Sequence, residues 1–339
     1  NPSNGSFSIG GEQDISSSGH SSEPINPTAT WDATSSRVVC SAQKDTYYPG
    51  IYTFSLNGTS VQSVTSIRIS SDSAEVLSRG NNFLYDSSSG KYVGVLHKVN
   101  SGTRAYTFTV SSNGSITINN SPSQITGGAA GFNRSDTTAL VYDGTTYHYF
   151  NGVRTSSGGR HVCFTFNGSS FANEDGLNNL NLPSSNRFAG AMYLPTLNKV
   201  VSIWNDEYTS QNIWNRKIRF YTPTTSGARL SLTSTTTLDS VLVGWANGAQ
   251  IDSACFEPVS EGIMLFEQET NSGTLQVNQV VVSSSGGFQE IVDLGTNTNA
   301  GTIGTGSNIA PTHDDDFSIL AWGHQSGTNY YARTIRGQS

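Results

Sequence analysis

The chain has 339 residues, a formal net charge of -7 and 13% charged residues. Its 51 Ser, 36 Thr and 35 Gly exclude a mainly helical protein, because these residues form helices poorly, while 15 Phe, 14 Tyr and 5 Trp exclude a disordered tail. The acidic balance disfavours nucleic acid as a partner, and no run approaches the roughly 18 apolar residues of a membrane span.

Residues 1–22 carry neither a charged nor an apolar leader and read as a strand followed by a linker. A repeat then starts near residue 28. Its unit is a short apolar strand ending in an aromatic and often an acid, a small turn, and a second apolar strand. Trp31-Asp32 precedes Arg37-Val38-Val39-Cys40, Tyr85-Asp86 precedes Lys91-Tyr92-Val93, and Tyr142-Asp143 precedes Tyr147-His148-Tyr149-Phe150. Tyr193, Phe256-Glu257 and His313-Asp314 open the remaining copies. The anchors at 31, 85, 142, 193, 256 and 313 lie 54, 57, 51, 63 and 57 residues apart. A third strand alternates with period two, as in Tyr52-Thr53-Phe54-Ser55-Leu56, so one face is buried. Asn-Gly turns at 57, 113 and 167 follow it, with positive φ expected at both residues, and then a more polar fourth strand.

Four antiparallel strands per unit predict an all-β chain, a single six-bladed propeller over 1–339. The blades start near 28, 82, 138, 189, 252 and 309. The sixth unit ends after its third strand, whereas Asn4-Gly5-Ser6-Phe7-Ser8-Ile9 matches the fourth strand at 113–118. The N-terminal strand is therefore expected to complete the last blade and close the ring. Cys40, Cys163 and Cys255 sit in apolar runs without metal spacing and read as buried, reduced thiols.

The run from Tyr85-Asp86 through Gly90-Lys91 to Val95 resembles a repeat of virion proteins in marine tailed phages. Trp31 to Val39 and Tyr193 to Val201 are looser copies, and Gly262 replaces the basic residue in the fifth. The resemblance implies a virion surface or tail-fibre component that binds a host or another virion part, and it transfers no catalytic residue.

His313-Asp314-Asp315-Asp316 has acidic ligands for a hard cation, but it lacks the alternation and Gly of a calcium loop and reads as a turn. No metal and no cofactor are expected. Glycoside hydrolysis needs two carboxylates across a cleft, for which Asp206, Glu207, Glu267 and Glu269 are candidates. The loops between second and third strands gather Tyr47, Tyr48, His97, Arg154, His161, Asp206, Tyr208, Trp214, Glu267, Glu269 and His324 in a charge-poor chain. Aromatic faces stack on sugars and polar groups bond hydroxyls, so these residues are the expected binding face.

The expected function is a non-enzymatic virion or receptor-recognition module, on a virion surface or extracellular. It would bind a host surface glycan or other virion proteins, and a homo-oligomer is compatible with it. The alternative is a secreted glycan-binding lectin or a glycoside hydrolase on the same propeller.

Overall fold

The computed structural model describes residues 28–44, 48–57, 60–77, 79–98, 101–125, 137–152, 159–175, 187–210, 213–227, 229–242, 252–257, 262–268, 275–297, 310–313, 318–323 and 330–335. Every regular element among them is a strand, and six sheets follow one another along the chain. The chain divides into two compact units, one mainly Ser8–Val153 with Arg160–Asn178, the other mainly Asn179–Ser339.

In the first unit, β1 (Thr28–Asp32), β2 (Arg37–Lys44), β3 (Tyr48–Asn57) and β4 (Ser60–Arg68) form an antiparallel meander. Next come β5 (Glu75–Val76), β6 (Arg79–Asn81), β7 (Phe83–Asp86), β8 (Lys91–Lys98), β9 (Gly102–Val110) and β10 (Ile116–Gln124). β5 and β7 both pair with β8, but β6 leaves this sheet and pairs parallel with the next. That third sheet holds β11 (Thr137–Tyr142), β12 (Tyr147–Gly152), β13 (Gly159–Phe166) and β14 (Phe171–Asp175), with β6 at its edge.

In the second unit, β15 (Arg187–Leu194), β16 (Lys199–Ser210), β17 (Ile213–Pro223) and β18 (Leu230–Leu242) form one meander. A second contains β19 (Asp252–Glu257), β20 (Gly262–Gln268), β21 (Leu275–Val282) and β22 (Phe288–Asn297). The last sheet holds β23 (Ala310–His313), β24 (Ser318–Gly323) and β25 (Tyr330–Ile335). Residues 4–12, expected to complete it, lie outside the described residues.

Successive sheets stack through apolar faces. Val39, Ile51, Phe83, Tyr92 and Phe108 join the first two sheets, and Val93, Val95, Tyr147, Tyr149 and Phe164 join the next pair. In the second unit Val201, Ile203, Phe220, Ile263 and Leu265 do the same. The rings are ordered: Tyr92 stacks on Phe108 at 4.8 Å and Tyr147 on Phe164 at 5.1 Å.

The repeated acid locks the first turn. Asp32 accepts hydrogen bonds from the Thr34 amide at 3.0 Å and the Ser35 hydroxyl at 2.7 Å. Asp86 accepts from the Ser88 amide at 3.0 Å and the hydroxyls of Ser88 and Ser89. Asp143 accepts from the Thr145 and Thr146 amides at 2.8 and 2.7 Å. Such Asx turns suit the exposed bends between short strands. Asp32 and Asp86 also face a tyrosine of the next sheet. Burial, and after it the charge of Asp32, raises the Tyr92 hydroxyl above its ordinary range, and burial with Asp86 does the same to Tyr147.

The repeated base clasps the neighbouring sheet. Lys91 Nζ donates to the Gly168 carbonyl at 2.6 Å. A Cβ on Gly114 would lie 2.3 Å from the Arg37 guanidinium carbon, and one on Gly286 would lie 2.9 Å from Lys199 Cε. All three glycines end a third strand and have positive φ, at 88°, 90° and 76° for Gly114, Gly168 and Gly286. Asn113, expected to share that conformation, does not. Instead the Gly114 amide bonds the Ser111 carbonyl and Asn113 Oδ1 accepts from the Ser115 amide, which makes a three-residue loop with glycine in the left-handed position.

Candidate functional site

One cluster in the first unit breaks the apolar pattern. Tyr85 pairs with Tyr92 and Tyr142 with Tyr147, so His148 occupies the position of Val93. The same register places Val39, Val201 and Met264 there in three other sheets, all fully buried. His148 is equally buried, and its Nε2 lies 3.0 Å from Asp143 Oδ2. Its Nδ1 lies 3.1 Å from Nε2 of His161, a buried residue of β13. The two imidazoles stack at 5.3 Å, and Phe150 packs on His161 at 4.9 Å.

The hydrogen-bond order follows from the carboxylate. Burial alone would raise Asp143, but hydrogen bonds from His148 and the turn amides outweigh it and hold the acid at about 2. An ionised Asp143 can only accept, so His148 Nε2–H donates. The neutral His148 ring then accepts at Nδ1, and His161 Nε2–H donates to it. This leaves His161 Nδ1 as a lone-pair acceptor. Burial lowers both histidines, His161 well below its ordinary value, with His148 adding to the shift at His161. Asp143, His148 and His161 thus form an aligned chain ending in a neutral base.

A second polar cluster lies on the other face of β12. His97 is fully buried at the end of β8. Its Nε2 accepts from the Tyr149 hydroxyl at 2.7 Å and lies 3.1 Å from Asn151 Nδ2. Burial lowers His97 to about 3, so it too is neutral.

Two of the expected binding-face residues are therefore core residues. His97 and His161 are buried in strands and contact opposite faces of β12, because a histidine held neutral by hydrogen bonds tolerates burial. Tyr48 is half-buried at the start of β3, with the Arg68 guanidinium 4.4 Å over its ring. Asp206, Tyr208 and Trp214 are strand residues of β16 and β17, not loop residues, since the hairpin pairs almost to its tip. Tyr208 and Trp214 are direct cross-strand partners, and Trp214 also pairs with Val241. Glu267 lies in β20 between Asp252 and Gln276. Tyr47, Arg154, Glu269 and His324 lie outside the described residues, as do Asp314, Asp315 and Asp316. Among the described residues no group of three His, Cys, Asp or Glu side chains could hold a metal. Nor is any helix there long and apolar enough to cross a membrane.

The residues that the sequence reading missed are Asp143 and His148. The signal was available, because alignment of the repeats places a histidine in a row of buried apolar residues.

No family model matches the chain, and no curated protein matches it in sequence. Solved structures do match in fold. AofleA from Arthrobotrys oligospora has a TM-score of 0.54 at 9% identity, covering 92% of this chain and 82% of its own. A candidate 6-phosphogluconolactonase from Bacteroides uniformis has a TM-score of 0.52 at 9% identity, covering 84% and 74%. A second from Bacteroides fragilis has 0.51 at 9%, covering 86% and 75%. The chain is thus all-β with propeller-like neighbours. Two of these three structures carry the names of enzymes, which corrects the expectation of a non-enzymatic module.

Proposed function

We propose that this chain is a hydrolase of sugar-derived substrates on a six-bladed propeller, with His161 as its general base. The six sheets are taken as blades of one ring that residues 4–12 close beside 330–335. The observation that carries the catalytic reading is the buried Asp143–His148–His161 chain, in which His148 stands where sister sheets place apolar residues. Buried polar chains that break a repeat's own pattern are expected at functional sites.

The chemistry is base-assisted hydrolysis. His161 Nδ1 accepts a proton from water as the water oxygen bonds to the carbonyl carbon of a sugar lactone. The ring C–O bond of the ester then breaks, and the proton held on His161 passes to the leaving alkoxide. Asp143 stabilises the positive charge through His148, which orients the base. The lactonase name borne by two proteins of similar fold supports a lactone as the first substrate to try.

The experiment measures hydrolysis of sugar lactones and aryl glycosides by the wild type and His161→Gln. We expect lactone turnover that falls about 100-fold or more in the variant, compared at a temperature where its melting curve shows it still folded. If His161→Gln stays active while Asp206→Asn or Glu267→Gln is dead, the base is a carboxylate and this assignment fails. No turnover of any such substrate by the wild type overturns the enzyme reading.

A further inference from the structure

We infer that the aromatic residue before each first turn forms a stacking surface for a neutral pyranose glycan, centred on Trp31 and Tyr85. The two residues hold the same register position, opposite Val38 and Tyr92. Unlike the other large rings of the first unit they are open, at 54% and 47% exposure. The repeat thus presents an open aromatic ring at equivalent places in two sheets.

Among the described residues, the charged groups beside the rings are engaged elsewhere. Asp32 and Asp86 beside the rings are buried and spend their oxygens on turn amides and hydroxyls. Lys91 is committed to the Gly168 carbonyl. Exposed hydroxyl-bearing residues stand in the turns beside the rings, Thr34 and Ser36 in one and Ser87 and Ser88 in the other. Aromatic faces with hydroxyls and no free charge match the apolar face and hydroxyl edge of an uncharged sugar ring. They do not match an acidic glycan or a nucleic acid.

Tyr85 is also held in place. It leans on Tyr92 at 5.1 Å, and Tyr92 is sandwiched against Phe108, with Phe83 edge-on at 5.8 Å. A ring fixed before binding loses little freedom on stacking. Tyr142 continues the row, stacked on Tyr147 at 4.5 Å with its hydroxyl on the Gly144 carbonyl.

This inference does not rest on the catalytic reading. The test prints neutral and acidic glycans on one array and probes it with the full chain, Trp31→Ala and Tyr85→Ala. We expect retention on neutral pyranose glycans and a loss of at least tenfold in affinity in each aromatic variant. Trp31→Phe and Tyr85→Phe keep a ring and should bind, which separates stacking from misfolding. No retention, retention on acidic glycans alone, or equal binding by Trp31→Ala and Tyr85→Ala overturns the inference.

Discussion

At the residue scale, three buried histidines control the acid stability of the first unit. Burial lowers His97 to about 3 and lowers His148 and His161 as well. Each therefore binds a proton more readily when unfolded than when folded. The stability tied to their neutral forms is complete above the unfolded value near 6.5 and is lost as the pH falls toward the folded values. For His97, each pH unit between about 6.5 and its folded value should cost roughly 1.4 kcal/mol. Chemical denaturation at pH 7 and at pH 4.5 should show a clear drop, and equal stability at the two pH values would refute the buried neutral assignment. The three cysteines are in no disulfide, and the thiol of Cys40 is pushed up to about 12 by burial. Cys163 is buried as expected, whereas Cys255 is only half-buried, since the face of β19 that carries it is partly open.

At the element scale, the repeat is a turn lock and a clasp. Lys91→Ala removes a charged hydrogen bond to Gly168 and a contact 5.8 Å from the Phe166 ring, and should cost about 1–2 kcal/mol. Gly114→Ala should cost more, because it places a Cβ against Arg37 at a φ of 88°. Urea melts of both variants check the order, and a Gly114→Ala protein as stable as the wild type would remove the clasp from the account. Of the residues that carry the phage resemblance, Asp86 to Val95 hold turn, clasp or core positions, whereas Tyr85 is exposed.

The same scale explains what the sequence made legible. Period-two apolar alternation and the acid-turn motif mark the four-strand meanders, because both come from burying one face of each strand. β6 was not legible: Arg79-Gly80-Asn81 has no apolar alternation, and its pairing comes from a neighbouring sheet. The β16–β17 hairpin was misread as a loop because Asp206, Glu207 and Tyr208 are polar or amphipathic, yet backbone pairing extends through them. His148 was hidden inside an aromatic run, Tyr147-His148-Tyr149-Phe150, that reads as core.

At the scale of the whole molecule, the proposed ring depends on the N-terminal strand. Deleting residues 1–22 should expose the edge of the last sheet, lower the melting temperature and promote aggregation. Amides of residues 4–12 in the full chain should exchange as slowly as those of 330–335. A truncated chain that stays monomeric with unchanged melting would show that the ring is closed otherwise or not at all.

The catalytic reading makes a sharper demand on one atom. In Asp143→Asn the amide oxygen must still accept the turn amides, so the NH2 group faces His148 Nε2. That reverses the ring tautomers along the chain and turns His161 Nδ1 from an acceptor into an N–H donor. The most direct test is the rate of sugar-lactone hydrolysis at pH 7 by wild type and Asp143→Asn at matched folding. A fall of about 100-fold or more is predicted, and an undiminished rate would contradict the account.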